Sequence, residues 1–270
     1  MLHTSDENHL DFMDKCSAIQ FSTQFQNPIT EVLSLYPRLF EHLDEKGYEV
    51  ACTIENNLYR VLRNAKNIEL YNSIERSYFY YEILDMAELV LSVRDAVNTV
   101  CKTKISISLC PGPVYIEGHR AIQTHTLLGL IRNALCYSQD RNSITIHMER
   151  TQNLVIIKVS DIGNAIKPEY ENRIFDPFFS VNPSGDGAEL PGLGLDLAIL
   201  ERLQQHLGGG RPYVSHELDE GNAIVFSVPT LNDCSSIRKT DIMGCDTESL
   251  ITNRYSSLYL QLCGFCRYPE

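Results

Sequence analysis

At 270 residues and 43% hydrophobic content, the chain has room for one medium domain plus a smaller element, and enough apolar material for a packed core. A net charge of -12 with no Lys/Arg cluster excludes a nucleic-acid surface. No window approaches the ~18 uninterrupted apolar residues of a membrane span, and the N-terminus lacks the basic and apolar regions of a signal peptide, so a soluble, cytoplasmic protein is predicted.

From Leu10 to Leu43, apolar residues recur largely at three- and four-residue steps (Met13, Cys16, Ile19, then Ile29, Val32, Leu33, Tyr36, Leu39), which predicts a helix. Pro28 and Pro37 are expected to kink or interrupt it. Asp44-Glu45-Lys46-Gly47 supplies the stop, with Gly47 as the residue just past the helix end. A second helix is predicted from about Tyr48 to Asn72, through Val50, Ile54, Leu58, Val61, Leu62, Ala65 and Ile68. The hairpin they form has an apolar stripe too wide for one partner, and dimerisation into a four-helix bundle is the expected solution.

After Asn72 the text turns β-prone at Tyr78 to Asp85. Asp85 then reads as the N-cap of a helix reaching Thr99, with Glu88 at the capping-box position. Alternation predicts strands at Lys104 to Leu109 and Val114 to Glu117, a helix follows from Arg120 to Tyr137, and two more strands lie at Ser143 to Met148 and Asn153 to Val159. A helix from Leu195 to Leu207 ends at Gly208-Gly209-Gly210. The last strands are Arg211 to His216 and Ala223 to Val228. Of the nine cysteines, Cys52, Cys101, Cys110 and Cys136 fall inside apolar segments and read as reduced, buried thiols.

Chemistry concentrates between Val159 and Leu197. Asp161 follows the apolar run Leu154 to Ile157, so its carboxylate stands at a strand end, where it can accept a hydrogen bond from an exocyclic amine. Gly163 lets the chain turn and lets a flat base approach. Gly192 and Gly194 precede a helical segment, so that free amides and a helix N-terminus can face phosphate oxygens. Between the aromatic block Phe175 to Phe179 and this glycine turn, Val181 to Pro191 is polar and glycine-bearing, as a moving loop would be, and Phe175, Phe178 and Phe179 are expected to anchor one end of it.

Asp161-Ile162-Gly163, Phe175-Asp176-Pro177-Phe178-Phe179 and Gly192-Leu193-Gly194-Leu195, in this order, resemble the first glycine box, the F box and the second glycine box of the ATP-binding domain of sensor histidine kinases, a branch of the GHKL ATPase superfamily. The stretch from Leu127 to Ser138 resembles the N box. The resemblance covers Asp85 to Pro229 well and Phe21 to Asp85 more loosely. It implies an α+β fold: a two-helix hairpin over residues 1–75 for dimerisation and phosphoacceptance, a two-layer α/β sandwich over 76–230 for catalysis, and a tail, 231–270, outside the resemblance. It implies Mg-ATP as ligand. Asp161 would read adenine, Gly163 and Ile166 would shape its slot, Tyr137 would line the site, Asn133 would hold Mg2+, and Gly192, Leu193, Gly194 and Leu195 would face the phosphates. A homodimer and a response regulator or partner kinase are the implied partners.

The departures from that pattern are specific. Phe21 to Ile29 resembles the H box, with Thr23 where the phosphorylated histidine stands, Gln24 in place of the adjoining acid and Gln26 in place of arginine. A threonine beside an amide supplies neither an imidazole nucleophile nor a carboxylate base. Gly129 stands where the N box commonly has a polar side chain, Cys136 where a basic residue is common, Ala165 replaces a glycine, and Asp196 replaces the glycine after Leu195. A carboxylate there repels a triphosphate unless it points outward or toward the metal. In the tail, Leu250 to Leu262 is expected to form a short helix or strand, and Cys263-Gly264-Phe265-Cys266 has no second ligand pair to complete a zinc site. Three functions stay open on the sequence: a kinase with its acceptor elsewhere, an ATP-binding pseudokinase that docks a response regulator or true kinase, and a structural dimerisation module.

Overall fold

The computed structural model describes residues 20, 24–74, 81–138, 140–163, 166–181, 192–217, 221–231 and 246–266. Thr23, Ala165, the loop 182–191, the polar stretch 232–245 and the aromatic run 78–80 lie outside the described residues. The chain divides into two compact units, one ending at residue 77 and one beginning at residue 78.

The first unit is a pair of helices, α1 over residues 24–40 and α2 over Glu45–Ser73. The helical run of α1 continues through both Pro28 and Pro37, against the expected interruption. Each proline removes one backbone donor, and the turns on either side hold the run together. Gly47 is not the terminator of α1. It sits in the first turn of α2, where its N–H donates to the Asp44 carboxylate at 2.8 Å and makes Asp44 the N-cap. Leu33 and Tyr36 of α1 and Tyr59, Leu62 and Leu70 of α2 are buried. Gln26, at the position the resemblance gives to arginine, donates to Glu69 of α2 at 3.1 Å. Val32, Leu35 and Leu39 on α1, and Val50, Ile54 and Val61 on α2, stay exposed at three-, four- and seven-residue steps.

In the second unit, β1 (Glu82–Asp85) pairs antiparallel with β3 (Tyr115–Gly118). The main sheet has the order β2-β4-β5-β7-β6, from Ser106–Leu109, Thr145–Arg150, Leu154–Asp161, Gly221–Pro229 and Tyr213–Glu217. β2 runs parallel to β4, and the other neighbours are antiparallel. Val155, Ile157 and Val159 alternate into the core along β5, as a strand covered on one face should. Helices α3 (Met86–Cys101), α4 (Arg120–Tyr137) and α5 (Asp196–Leu207) form the second layer, with α4 against β5 and α5 against β7. Asp85 caps α3 by accepting from the Ala87 N–H at 3.0 Å. The fold is therefore α+β, a helical unit followed by a two-layer sandwich.

The tail does more than the sequence indicated. It forms two short helices, α6 (Thr247–Thr252) against α3 and α7 (Ser257–Gln261) against α4. Leu258 and Leu262 are fully buried there and Tyr259 nearly so. With the sheet on one side and α7 on another, every residue of α4 from Ile122 to Arg132 is buried, including Gln123, Thr124, His125 and Thr126. A helix buried all round belongs to the interior of a layered domain. Near the end of the described tail the Cys266 thiol donates to the Leu262 carbonyl at 3.2 Å. The described cysteines are free, and Cys52, Cys101, Cys110 and Cys136 are half-buried where full burial was expected. No helix among the described residues is long and apolar enough to cross a membrane.

Candidate functional site

β5 ends at Asp161, and the chain turns at once through Gly163. Gly163 bridges to Ser138 at the end of α4 and lies so close to the Tyr137 carbonyl and the Asp161 carboxylate that no Cβ fits. Glycine is required there by close approach. Asp161 Oδ1 is buried without a hydrogen-bond partner among the described residues. Burial pushes its carboxyl up to about 6. A strand-end carboxylate that is desolvated and unpaired is an acceptor waiting for a donor.

Two residues that the sequence reading passed over complete this end. Asn222 of β7 is buried and accepts from the Ile166 N–H at 2.9 Å, which fixes Ile166 as the chain leaves the turn. Gly221 has φ +70°, and its Cα faces the Asp161 carbonyl too closely for a side chain. The signal for both was the Gly-Asn pair opening the last strand. Tyr137 closes the same corner, its hydroxyl 3.5 Å from the Val181 carbonyl. Burial raises the Tyr137 phenol, helped by the Cys136 thiol and the Asp196 carboxylate and opposed by Arg132.

The second glycine turn is clasped to the aromatic block. The Phe178 N–H donates to the Gly194 carbonyl at 3.0 Å, and Gly194, at φ +68°, abuts the Phe179 backbone where a Cβ would collide. Phe178 itself is held at φ +64°, a left-handed conformation unusual for an aromatic residue. Of the three expected anchors, Phe175 is buried and Phe179 half-buried, under the Arg173 guanidinium at 4.5 Å and beside Tyr170. Phe178 is 64% exposed. Leu193 is partly exposed, whereas the Leu195 side chain is in the core, so Leu195 can offer only backbone to the site.

At the far end α4 and α5 meet. Asn133 is half-buried one helical turn beyond Gly129, on the same face of α4. Asp196, in the first turn of α5, points at Gly129: a Cβ at position 129 would stand 3.2 Å from Asp196 Oδ1 and 3.5 Å from Gln261 Nε2. Gln261 of α7 donates to Asp196 Oδ1 at 3.1 Å and lies 2.7 Å from His125 Nε2, while His125 Nδ1 is 3.3 Å from Ser257 Oγ. One proton arrangement satisfies all three contacts: Gln261 donates both amide hydrogens, and His125 accepts at Nε2 and donates from Nδ1. Among the described residues no group of three or more His, Cys, Asp or Glu side chains could hold a metal ion. Asn133 and Asp196 each carry a hard oxygen donor of the kind Mg2+ takes along with phosphate oxygens.

The structure therefore gathers Tyr137, Asp161, Gly163 and Ile166 at one end and sets Gly194 and Leu195 against the aromatic block at the start of α5. Thr23 lies outside the described residues.

Comparison with known proteins bears on these residues. Residues 120–232 match the family described as histidine kinase-, DNA gyrase B-, and HSP90-like ATPase. Over 169 residues the chain is 29% identical to the sensor histidine kinase CpxA of Escherichia coli K12, covering 62% of this chain and 35% of that protein. It is 36% identical over 104 residues to the adaptive-response sensory kinase SasA of Prochlorococcus marinus MIT 9215, covering 38% and 27%. The chain thus spans about a third or less of the length of these curated relatives. Among solved structures, full-length ShkA in complex with AMPPNP aligns with a TM-score of 0.61 at 18% identity, covering 79% of this chain and 45% of that one. That likeness shows the fold.

Proposed function

On the premise that residues 120–232 are a histidine kinase-, DNA gyrase B- and HSP90-like ATPase domain in a sensor-kinase transmitter region, we propose that this chain binds Mg-ATP and acts as a histidine-kinase-like signalling protein whose own acceptor is missing. The observation that carries the reading is Asp161, whose buried, unpaired Oδ1 at the end of β5 matches the exocyclic amine of adenine. Gly163 and Ile166 shape the base slot, Tyr137 lines it, and the backbone of Gly192 to Leu195 with the start of α5 takes the phosphates. Asn133 holds Mg2+, which when bound neutralises phosphate charge.

Thr23 takes the place of the phosphorylated histidine and Gln24 that of its acid, so cis autophosphorylation has no imidazole to act on. The protein works instead as an ATP-dependent partner of a response regulator or of a true kinase, in the cytoplasm. The exposed stripe of Val32, Leu35 and Leu39 with Val50, Ile54 and Val61 favours pairing of two hairpins into a four-helix bundle. We divide the chain into a hairpin over 1–75, a nucleotide domain over 76–230 and a tail over 231–270.

The deciding experiment is equilibrium binding of a fluorescent ATP analogue with and without Mg2+, on wild type and Asp161→Asn. Binding that the substitution weakens roughly tenfold or more supports the site. No binding by wild type leaves a structural dimer. Thr23→His with Gln24→Glu then asks whether only the acceptor is missing. Phosphate incorporation into that variant reports a working catalytic domain, and its absence favours the pseudokinase.

A further inference from the structure

We propose that Asp196 replaces, from α5, the polar side chain that α4 lacks at position 129, and that the C-terminal segment holds it in place through Gln261. The proposal rests on the nucleotide reading above and adds to it a carboxylate arm at the phosphate and metal end, with the tail as a built part of the site.

The geometry is specific. Gly129 and Asn133 are four residues apart on α4 and share a face. The Asp196 carboxylate lies 3.2 Å from the point where a side chain at 129 would begin, so the two positions cannot both carry ordinary side chains there without adjustment. The sequence places the small residue at 129 and the acid at 196. A carboxylate at the N-terminus of α5 is stabilised by the helix amides, and it repels a triphosphate unless a cation stands between them. Mg2+ is such a cation, and it takes one or two carboxylates along with phosphate oxygens.

Gln261 fixes which way that carboxylate faces. Its side chain has no solvent exposure, and its two amide hydrogens are committed to Asp196 Oδ1 and His125 Nε2. The amide cannot flip without turning its oxygen onto the Asp196 carboxylate. His125 is itself buried and tied to Ser257, the first residue of α7. The chain Ser257, His125, Gln261, Asp196 thus runs from the tail to the start of α5. Gln261 and His125 are positioning residues, and neither touches nucleotide.

The test measures affinity for the fluorescent ATP analogue in Mg2+ and in EDTA, on wild type, Asp196→Asn, Gln261→Met and the double variant. The expected result is a Mg2+ enhancement in wild type that falls roughly tenfold in Asp196→Asn and severalfold in Gln261→Met, with no further fall in the double variant. Affinity in EDTA should stay within about twofold in Gln261→Met, which also reports that the site is folded. Gly129→Asn with Asp196→Gly moves the polar group back to α4. It should recover the enhancement and make it insensitive to Gln261→Met. An equal loss with and without Mg2+ in Gln261→Met, additive losses in the double variant, or a gain in Mg-ATP affinity on Asp196→Gly alone would each overturn the proposal. Wild-type binding without any Mg2+ enhancement overturns it while leaving the adenine site standing, and no wild-type binding removes both.

Discussion

Gly129 on α4 and Asp196 on α5 are complementary: the absent side chain of one is the space the other occupies, with 3.2 Å between Asp196 Oδ1 and the position of a Cβ at 129. Gln261 Nε2 closes the same space at 3.5 Å. Gly129→Leu is therefore an overpacking substitution. It is expected to cost about 1–3 kcal/mol, although leucine suits a helix better than glycine does. Adding Asp196→Gly should return part of that loss. Urea unfolding of the single and double variants checks this, and equal stability of Gly129→Leu and wild type would mean that α5 and α7 yield freely.

Asp161 links pH to stability in the ligand-free protein. Burial raises its carboxyl from 3.8 to about 6, so the folded state holds a proton that the unfolded chain has already lost between those values. Its contribution is fully present below pH 3.8 and is lost as pH rises through about 6. Asp161→Asn carries no such titration. Allowing for the partial solvent access of the group, the variant should be more stable than wild type by about 1–2 kcal/mol at pH 7.5 and no more stable at pH 3.5. In the same variant nucleotide affinity should fall. Thermal melts across that range are the check, and a constant difference at every pH would show that the carboxyl is solvated.

The sheet, its order of helices and the glycine turns were legible in the residues because each rests on local chemistry. Asp85 and its downstream pattern announced α3, and the helix expected from Arg120 to Tyr137 has those bounds as α4. Gly163 and Gly194 are glycines because backbone carbonyls or carboxylates crowd them. What escaped depends on distant contacts. Gly47 lies close to a predicted helix end, yet the Asp44 carboxylate claims its N–H for the next helix. Asp196 looked anomalous in its own box because the residue that accommodates it, Gly129, is on another helix. Gln261 is one amide in an unpatterned tail, and its partners stand 65 and 136 residues away.

Removing the tail should expose α4. Leu258 and Leu262 are fully buried and Tyr259 is 2% exposed, so deleting residues 246–270 removes three buried apolar side chains and uncovers the surfaces of α3 and α4 that the segment covers. At about 1.5–3 kcal/mol for each buried side chain, the loss is a large share of the stability of a domain this size. A truncated chain is expected to melt at least 10 °C lower, by roughly the usual relation of stability to melting temperature. It should also bind more of a dye that reports exposed apolar surface. A truncated chain that melts with the full-length protein would show that the tail packs without stabilising.

The hairpin supplies the last prediction. Leu35 is 56% exposed and Val50 60%, each in a stripe of like residues at helical spacing. A second hairpin laid on these stripes would bury them, and a charge at each position would strand a carboxylate in the apolar seam. Leu35→Glu with Val50→Glu is expected to weaken self-association by about 3 kcal/mol or more per pair, which is more than a hundredfold in dissociation constant. Sedimentation equilibrium should show a dimer for wild type and a monomer for the variant at micromolar concentration. The separate unit beginning at residue 78 keeps its own core, so nucleotide affinity should stay unchanged in the variant. If both proteins sediment as monomers, the stripe is covered by something other than a second copy. If both sediment as dimers, the interface lies off these two helix faces.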